Sequence, residues 1–439
     1  MTAEIRFFWA RLNANYWFYP ATFAILAAVL GFVAVYLDRN GFAQFLSNYD
    51  WLVPVRPKGA VDILTVMAGT MIGVASTVFS ITLVAVTYAS SSYGPRLLTN
   101  FLEDKGNQVS LAAFIGTFVY TMIVLRSVRA EDEVAASTSD AVATNLPGFA
   151  PQLSLLIAYL MVGACVGVLV FFLHHVPSSI RISMVLEKVG KQLLNAVRDT
   201  YPIEEEFRDA RQSEGGETIA ATSSGYVQMI DFEDLEHCAN EHGCILSLRV
   251  RTGDFVHRDL PLLDVKGASA QDLREAVQPH FTLGPVRTRE QDPQYLIDQL
   301  VEIGLRALSP GINDPFTAIT ALHWLGAVTS EIARRDLRKD VCGKDADECP
   351  VIPLPDTYEH YLQRGLGSMR SAVATSHSAT MVMLDVIAKA AHPVTSSERK
   401  AGLRNQADLL IEQAREHLVG ADLRQAEERY REVQQLIPS

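Results

Sequence analysis

Four side chains of the types that bind zinc fall within eight residues of one another: His237, Cys238, His242 and Cys244. Imidazole and thiolate are the usual zinc ligands, but the spacing works against a site. On a helix, residues five apart lie about 140° round from each other, so His237 and His242 do not converge, and Cys238 continues the apolar stripe that starts at Leu235. The cluster reads as a buried structural cysteine beside two surface histidines. Cys342 and Cys349 have no histidine near them and read the same way. Five cysteines, an odd number without regular spacing, do not make a disulfide framework. No metal and no cofactor is expected.

The heptapeptide SPGINDP concentrates Ser309, Pro310, Gly311, Asn313, Asp314 and Pro315 between two helical patterns. It reads as a tight helix-to-helix turn with Asn313 or Asp314 capping the next helix. The competing reading is a loop for a ligand or partner, presented by Ser309, Asn313 and Asp314. Asp292 and Glu302 stand nearby, and carboxylates paired with Asp314 or with each other invite acid–base chemistry, but such roles need geometry that spacing does not give. There is no GxSxG elbow, Walker loop, dinucleotide fingerprint or HExxH. No catalytic residue is assigned, and the chain is expected not to be an enzyme; a membrane-bound enzyme built around the SPGINDP turn is the alternative.

The elements that must hold these residues divide the second half of the chain into three. Residues 181–221 are a connecting helix, continuing from the last hydrophobic span and ended by Pro202, and a polar linker, EEEFRDARQSEGGETIAATSSG. Residues 222–290 form a small α/β or β-barrel-like module: strand GYVQMI, a helix capped at Asp231 and stopped at Gly243, strand CILSLRV, turn RTGD and the run FVHRDLPLLDV. Residues 291–439 form a C-terminal helical bundle, with helices at about 357–392, 395–418 and 421–436. The fold class is therefore a membrane α-helical domain, residues 1–180, followed by a cytoplasmic α+β domain.

The membrane part rests on four stretches long and apolar enough to cross a bilayer as helices: Tyr16 to Leu37, Ile63 to about Tyr88, Val109 to Leu125, and Leu153 to Val176. Trp9, Tyr16, Trp17, Tyr19 and Tyr36 flank the first as an aromatic belt, and no cleavage site follows it. Arg6, Arg11, Arg96, Lys105, Arg181, Lys188 and Lys191 fall on one side of a four-pass arrangement, against Arg39, Arg56, Lys58, Arg126 and Arg129 on the other. This predicts a bacterial inner-membrane protein with both termini in the cytoplasm. The net charge of −12 sits almost wholly after residue 175, where 29 Lys and Arg face 40 Asp and Glu, against 9 and 10 before it. An acidic soluble half lacks the clustered cations that bind nucleic acid, so the bilayer and further copies of the chain are the expected partners.

The second span is the informative one. Between Ile63 and Gly94 it has no charged residue and would measure about 48 Å as one helix, more than the hydrocarbon core. At alternating spacings of three and four it shows Thr70, Gly73, Thr77, Ser80, Val84, Thr87, Ser91 and Gly94, an edge of small and hydroxylated side chains. One reading is helix packing, in which small residues let backbones approach and hydroxyls bond back to their own helix. The other is a pore lining repeated around an oligomer axis.

The strings VFSITLVAVTYASSSYGPRLLTNFLED, FIGTFVYTMIVLRSV, SGYVQMIDFEDL with GDFVHRDLPL, and QLVEIGLRALSPGINDPFTAITALHWL resemble the bacterial membrane-protein family catalogued as domain of unknown function 2254, from the first span to about residue 420. The resemblance implies four transmembrane helices followed by a cytoplasmic domain, and it implies no reaction and no catalytic residues. The leading expectation is a homo-oligomeric channel or conduit with the second span facing the axis and the cytoplasmic domain as collar or sensor. The alternative is a membrane-anchored regulator or scaffold.

Overall fold

The computed structural model describes residues 15–42, 54–94, 101, 104–129, 148–203, 215–337, 341–342 and 349–437. Arg6, Trp9, Arg11, Arg96 and residues 204–214 of the linker lie outside them. The chain is mostly helical, with four long apolar helices and a small β region, and it divides into two compact units, Met1–Arg181 and Ile182–Ser439.

In the first unit the helices are α1 (Phe18–Arg39), α2 (Pro57–Tyr93), α3 (Lys105–Ser127) and α4 (Gln152–Ser179), each long and apolar enough to cross a membrane. The central one is α3, which packs against the other three. Its mid-helix hydroxyls are satisfied internally: Thr117 and Thr121 bond back to the carbonyls of Ala113 and Thr117. Gly116 lets α1 approach; a Cβ there would stand 3.4 Å from the Phe23 carbonyl oxygen. The second helix is one unbroken run of 37 residues, about 55 Å at 1.5 Å per residue.

In the second unit, α5 (Ile182–Thr200) is a separate helix and not a continuation of α4, since the helix is interrupted at Ile180 and Arg181. A mixed module follows: β1 (Glu217–Ala220), β2 (Gly225–Ile230), α6 (Phe232–His242), β3 (Ile245–Leu248), β4 (Phe255–Val256), β5 (Pro261–Lys266), α7 (Ala270–Val277) and β6 (Phe281–Gly284). Asp231 caps α6 and Gly243 ends it in the left-handed region, as the residue types require. The sheets run β1-β5-β3-β7 and β4-β2-β6 around one core that includes Ile219, Leu235, Leu246 and Leu263. Two strands come from places the sequence assigns elsewhere. Glu217–Ala220 belongs to the linker by composition yet pairs antiparallel with β5, and β7 (Val351–Ile352) pairs parallel with β3 from far along the chain.

The remaining elements are α8 (Pro293–Ala307), α9 (Pro315–Ile332), α10 (Tyr358–Leu362), a π-helical turn (Gln363–Gly367), α11 (Ser368–Val373), α12 (His377–Ala391), α13 (Ser397–His417) and α14 (Gly420–Leu436). Helix α9 packs against α5, α8 and α12, and α14 against α12 and α13.

Candidate functional site

The α2 edge is presented outward. The face that α2 buries is Leu64, Met67, Ala68, Met71, Ala75, Val78, Ala85 and Ala89, whereas Thr70, Gly73, Thr77, Ser80, Val84, Thr87 and Ser91 are all exposed. Gly94, the last residue of the periodic series, is buried past the end of the helix. A Cβ at Gly69 or Gly73 would meet nothing within 4 Å. The hydroxyls are satisfied by their own helix: Thr70 donates to the Val66 carbonyl at 2.7 Å, Thr77 to Gly73 at 3.0 Å, Ser80 to Ser76 at 2.9 Å and Thr87 to Leu83 at 2.9 Å. Back-bonding of this kind masks the donors but leaves each oxygen able to accept. Among the described residues of the chain, packing therefore does not use this edge.

The SPGINDP segment is a tight, internally bonded turn. The Ser309 carbonyl accepts from the N–H groups of Ile312 and Asn313, and the Asp314 N–H donates to the Ala307 carbonyl at 2.8 Å. Asn313 takes a positive φ of 50°, which asparagine tolerates better than most residues. Asp314 caps α9, accepting from the Thr317 N–H at 3.2 Å and the Thr317 hydroxyl at 2.6 Å. Asp292 does the same for α8, accepting from the Tyr295 N–H at 3.1 Å while pairing with Arg287 at 2.6 Å. Burial pushes the Asp292 carboxyl above its usual range, against the pull of Arg287. Of the three carboxylates singled out for acid–base chemistry, Asp292 and Asp314 are thus N-caps of consecutive helices and Glu302 lies within α8, and Ser309 spends its hydroxyl on the Arg306 carbonyl at 2.6 Å.

Of the metal-type residues, Cys238 and Cys244 are buried in the core of the mixed module, and His242 Nδ1 lies 2.9 Å from the Cys238 carbonyl oxygen. Burial pushes both thiols up. Cys342 and Cys349 are not two isolated thiols: they form a disulfide, Cα atoms 5.6 Å apart, with Cys349 two residues before β7. A bridge between cysteines seven apart depends on how the loop folds back, which spacing alone does not reveal.

What the residue types did not disclose is a buried polar network assembled from five segments of the second unit. Arg364, in the π-helical turn, grips Asp298 of α8 with two nitrogens at 2.6 and 2.7 Å, and Arg287 reaches the same carboxylate at 2.6 Å. Asp356 receives the Tyr201 hydroxyl at 2.6 Å, the Gln294 amide at 3.1 Å and the Arg251 guanidinium at 2.9 Å. Tyr361 and His360 complete it, at 2.7 Å from the Tyr201 hydroxyl and 3.0 Å from Gln294 Oε1. Burial raises the Tyr361 and Tyr201 phenols far above their ordinary range, and burial with Arg364 and Arg251 pulls His360 down. Extra-wide helical turns concentrate at functional positions; here the turn sets Arg364 between α8 and the module. Every member has a partner inside the unit, so the arrangement clamps the module to the helices.

The comparisons agree with this architecture. A family model described as a predicted membrane protein, DUF2254, matches residues 13–389, ending before the limit of about residue 420 read from the sequence. Similar curated proteins include an uncharacterised protein of Mycobacterium bovis and one of Mycobacterium tuberculosis, each 32% identical over 373 residues that cover 82% of this chain and 68% of the relative. No solved structure matches. Four long apolar helices, a small β region and a match over most of its length make this chain a member of the DUF2254 family of predicted membrane proteins.

Proposed function

We propose that the protein is a homo-oligomeric channel or conduit of the bacterial inner membrane, with the Thr70–Ser91 edge of α2 toward the axis. In this reading residues 1–180 are the membrane domain, 181–221 the connection, 222–290 a small module and 291–439 a helical bundle, the last two forming a cytoplasmic collar or sensor, with both termini cytoplasmic. The carrying observation is a contrast between outward faces. Helix α1 turns Ile25, Leu26, Val29, Phe32 and Val33 outward, and α4 turns Leu160, Val166, Val170 and Leu173 outward, as lipid-facing helices do. Helix α2 exposes Val66, Phe79 and Leu83 as well, and α4 exposes Gly163 and Gly167. Among the described residues of the four helices, however, α2 alone adds a repeated run of exposed hydroxyls, Thr70, Thr77, Ser80, Thr87 and Ser91, without charge, a surface suited to close contact with other copies or with water.

Purified protein in liposomes should pass ions or small osmolytes under voltage or membrane tension, and Thr77→Trp should block the passage. Absence of flux under every condition, with Thr77→Trp indistinguishable from wild type, would remove the proposal. A projection along the membrane normal should show a ring with a central opening.

A membrane-anchored regulator is favoured by one different observation, the clamp through Arg364, Asp298 and Asp356. A ligand or partner on the module would be felt by the helices through it. A ligand that raises the unfolding temperature of the full chain without opening any flux supports this second reading.

A further inference from the structure

Helices α5 and α9 run parallel with a constant register. Gly190 faces the Trp324 ring, Arg198 Nε lies 3.3 Å from Glu331, and the Tyr201 carbonyl accepts from Arg335. The numbering differs by 134, 133 and 134 in the three pairs, so Phe316, in the first turn of α9, lies level with Ile182, the first residue of α5. Ile182 is three residues after Ser179, the last residue of the α4 span, and three residues of chain reach at most about 11 Å. The α8–α9 turn therefore lies at the end of the second unit where the chain enters from α4.

That end exposes apolar side chains. Phe316 is 77% and Ile312 is 47% exposed, and Met184 on the first turn of α5 is exposed too. The turn is rigid, through the hydrogen bonds of Ser309, Ala307 and Asp314, so presenting the two side chains costs little ordering entropy on contact. Arg181 is exposed at the same end, and Arg306 lies in the last turn of α8. The Asp314 carboxylate in the turn accepts from Thr317.

We propose that the α8–α9 turn is a lipid-contacting tip, with Ile312 and Phe316 seated in the headgroup layer and the basic groups beside them facing lipid phosphates. Two apolar side chains flanked by cations suit a membrane interface, and they fall far short of the area a stable protein interface needs. The proposal goes beyond the pore reading and does not depend on it.

The test uses the full chain in lipid nanodiscs with an environment-sensitive fluorophore on Phe316→Cys, on Ile312→Cys and, as control, on Ile203→Cys. Ile203 is 54% exposed and follows the far end of α5, whose 19 residues span about 28 Å. Cys165, Cys238 and Cys244 are buried, so with Cys342→Ser and Cys349→Ser in the background, labelling elsewhere is low. The labels at 316 and 312 should emit to the blue of the label at 203 and lose emission when nitroxide-bearing lipids are included, while the label at 203 does neither. Labels at 316 and 312 that stay water-exposed, or that shift to the blue without quenching by the nitroxide lipids, as a protein neighbour would cause, overturn it.

Discussion

The carboxylate of Asp38, in the last turn of α1, accepts from both the N–H and the hydroxyl of Ser154 in the first turn of α4, at 2.9 and 2.6 Å, and from the N–H of Leu153 at 3.0 Å. It supplies from another helix the acceptor that Pro151, at the α4 N-cap position, cannot. Anionic oxygen at a helix N-terminus is also favoured by the helix dipole. Replacing it by Asp38→Ala should cost about 1–3 kcal/mol and lower the unfolding temperature in detergent, with Asp38→Asn losing less. Equal unfolding temperatures for Asp38→Ala and wild type would show that the cap contributes nothing.

The two-nitrogen grip of Arg364 on Asp298 makes a sharper prediction. Truncation by Arg364→Ala takes the two-nitrogen partner from a mostly buried carboxylate, and should destabilise the second unit by about 3 kcal/mol. Adding Asp298→Asn to that variant should recover part of the loss, because the stranded charge is gone. Chemical denaturation of the single and double variants measures the coupling.

Glu331 sets a pH dependence. Burial alone would raise its carboxyl, but hydrogen bonds from Arg198, Arg335 and Arg334 outweigh burial and bring it from an ordinary 4.5 down to about 2. A carboxyl depressed in the folded state stabilises above its unfolded value and loses that contribution as pH falls through its folded value. Wild-type stability should therefore exceed that of Glu331→Gln at neutral pH, and the gap should close between about pH 4.5 and 2. A gap independent of pH across that window refutes the assignment.

The α5–α9 register depends on a residue without a side chain. A Cβ at Gly190 would come within 2.3 Å of the Trp324 ring. Gly190→Ala should cost about 1–3 kcal/mol by overpacking, and Trp324→Leu introduced with it should restore part of the loss. Thermal unfolding followed on both variants decides it.

The Cys342–Cys349 bridge tests the proposed orientation. In a cytoplasmic unit the pair should be found as thiols when growing cells are alkylated rapidly, and should close on oxidation of the purified chain. A bridge already present in the alkylated cells would place the second unit on the oxidising side instead.

Hydropathy alone determined the four membrane helices, because about twenty apolar residues in a row have few stable alternatives to crossing a bilayer. Local chemistry determined the cap at Asp231 and the stop at Gly243 and narrowed the α9 cap to Asn313 or Asp314, of which the structure uses Asp314, since each is satisfied within a few residues. The family was legible for the same reason, in strings such as QLVEIGLRALSPGINDPFTAITALHWL. Tertiary structure decided everything that joins distant segments. Glu217–Ala220 looks like linker because two of its four residues are exposed, and it becomes a strand only when β5 offers a partner. The bridge before β7, the Asp38 cap on α4 and the Arg364–Asp298 grip each join residues with no local pattern to announce them. The periodicity of α2 defined an edge of Thr70, Thr77 and Thr87, but which way that edge turned was decided by packing against α3, which buries the opposite face, where Leu64, Met67, Met71 and Val78 alternate with alanines that let the helices approach.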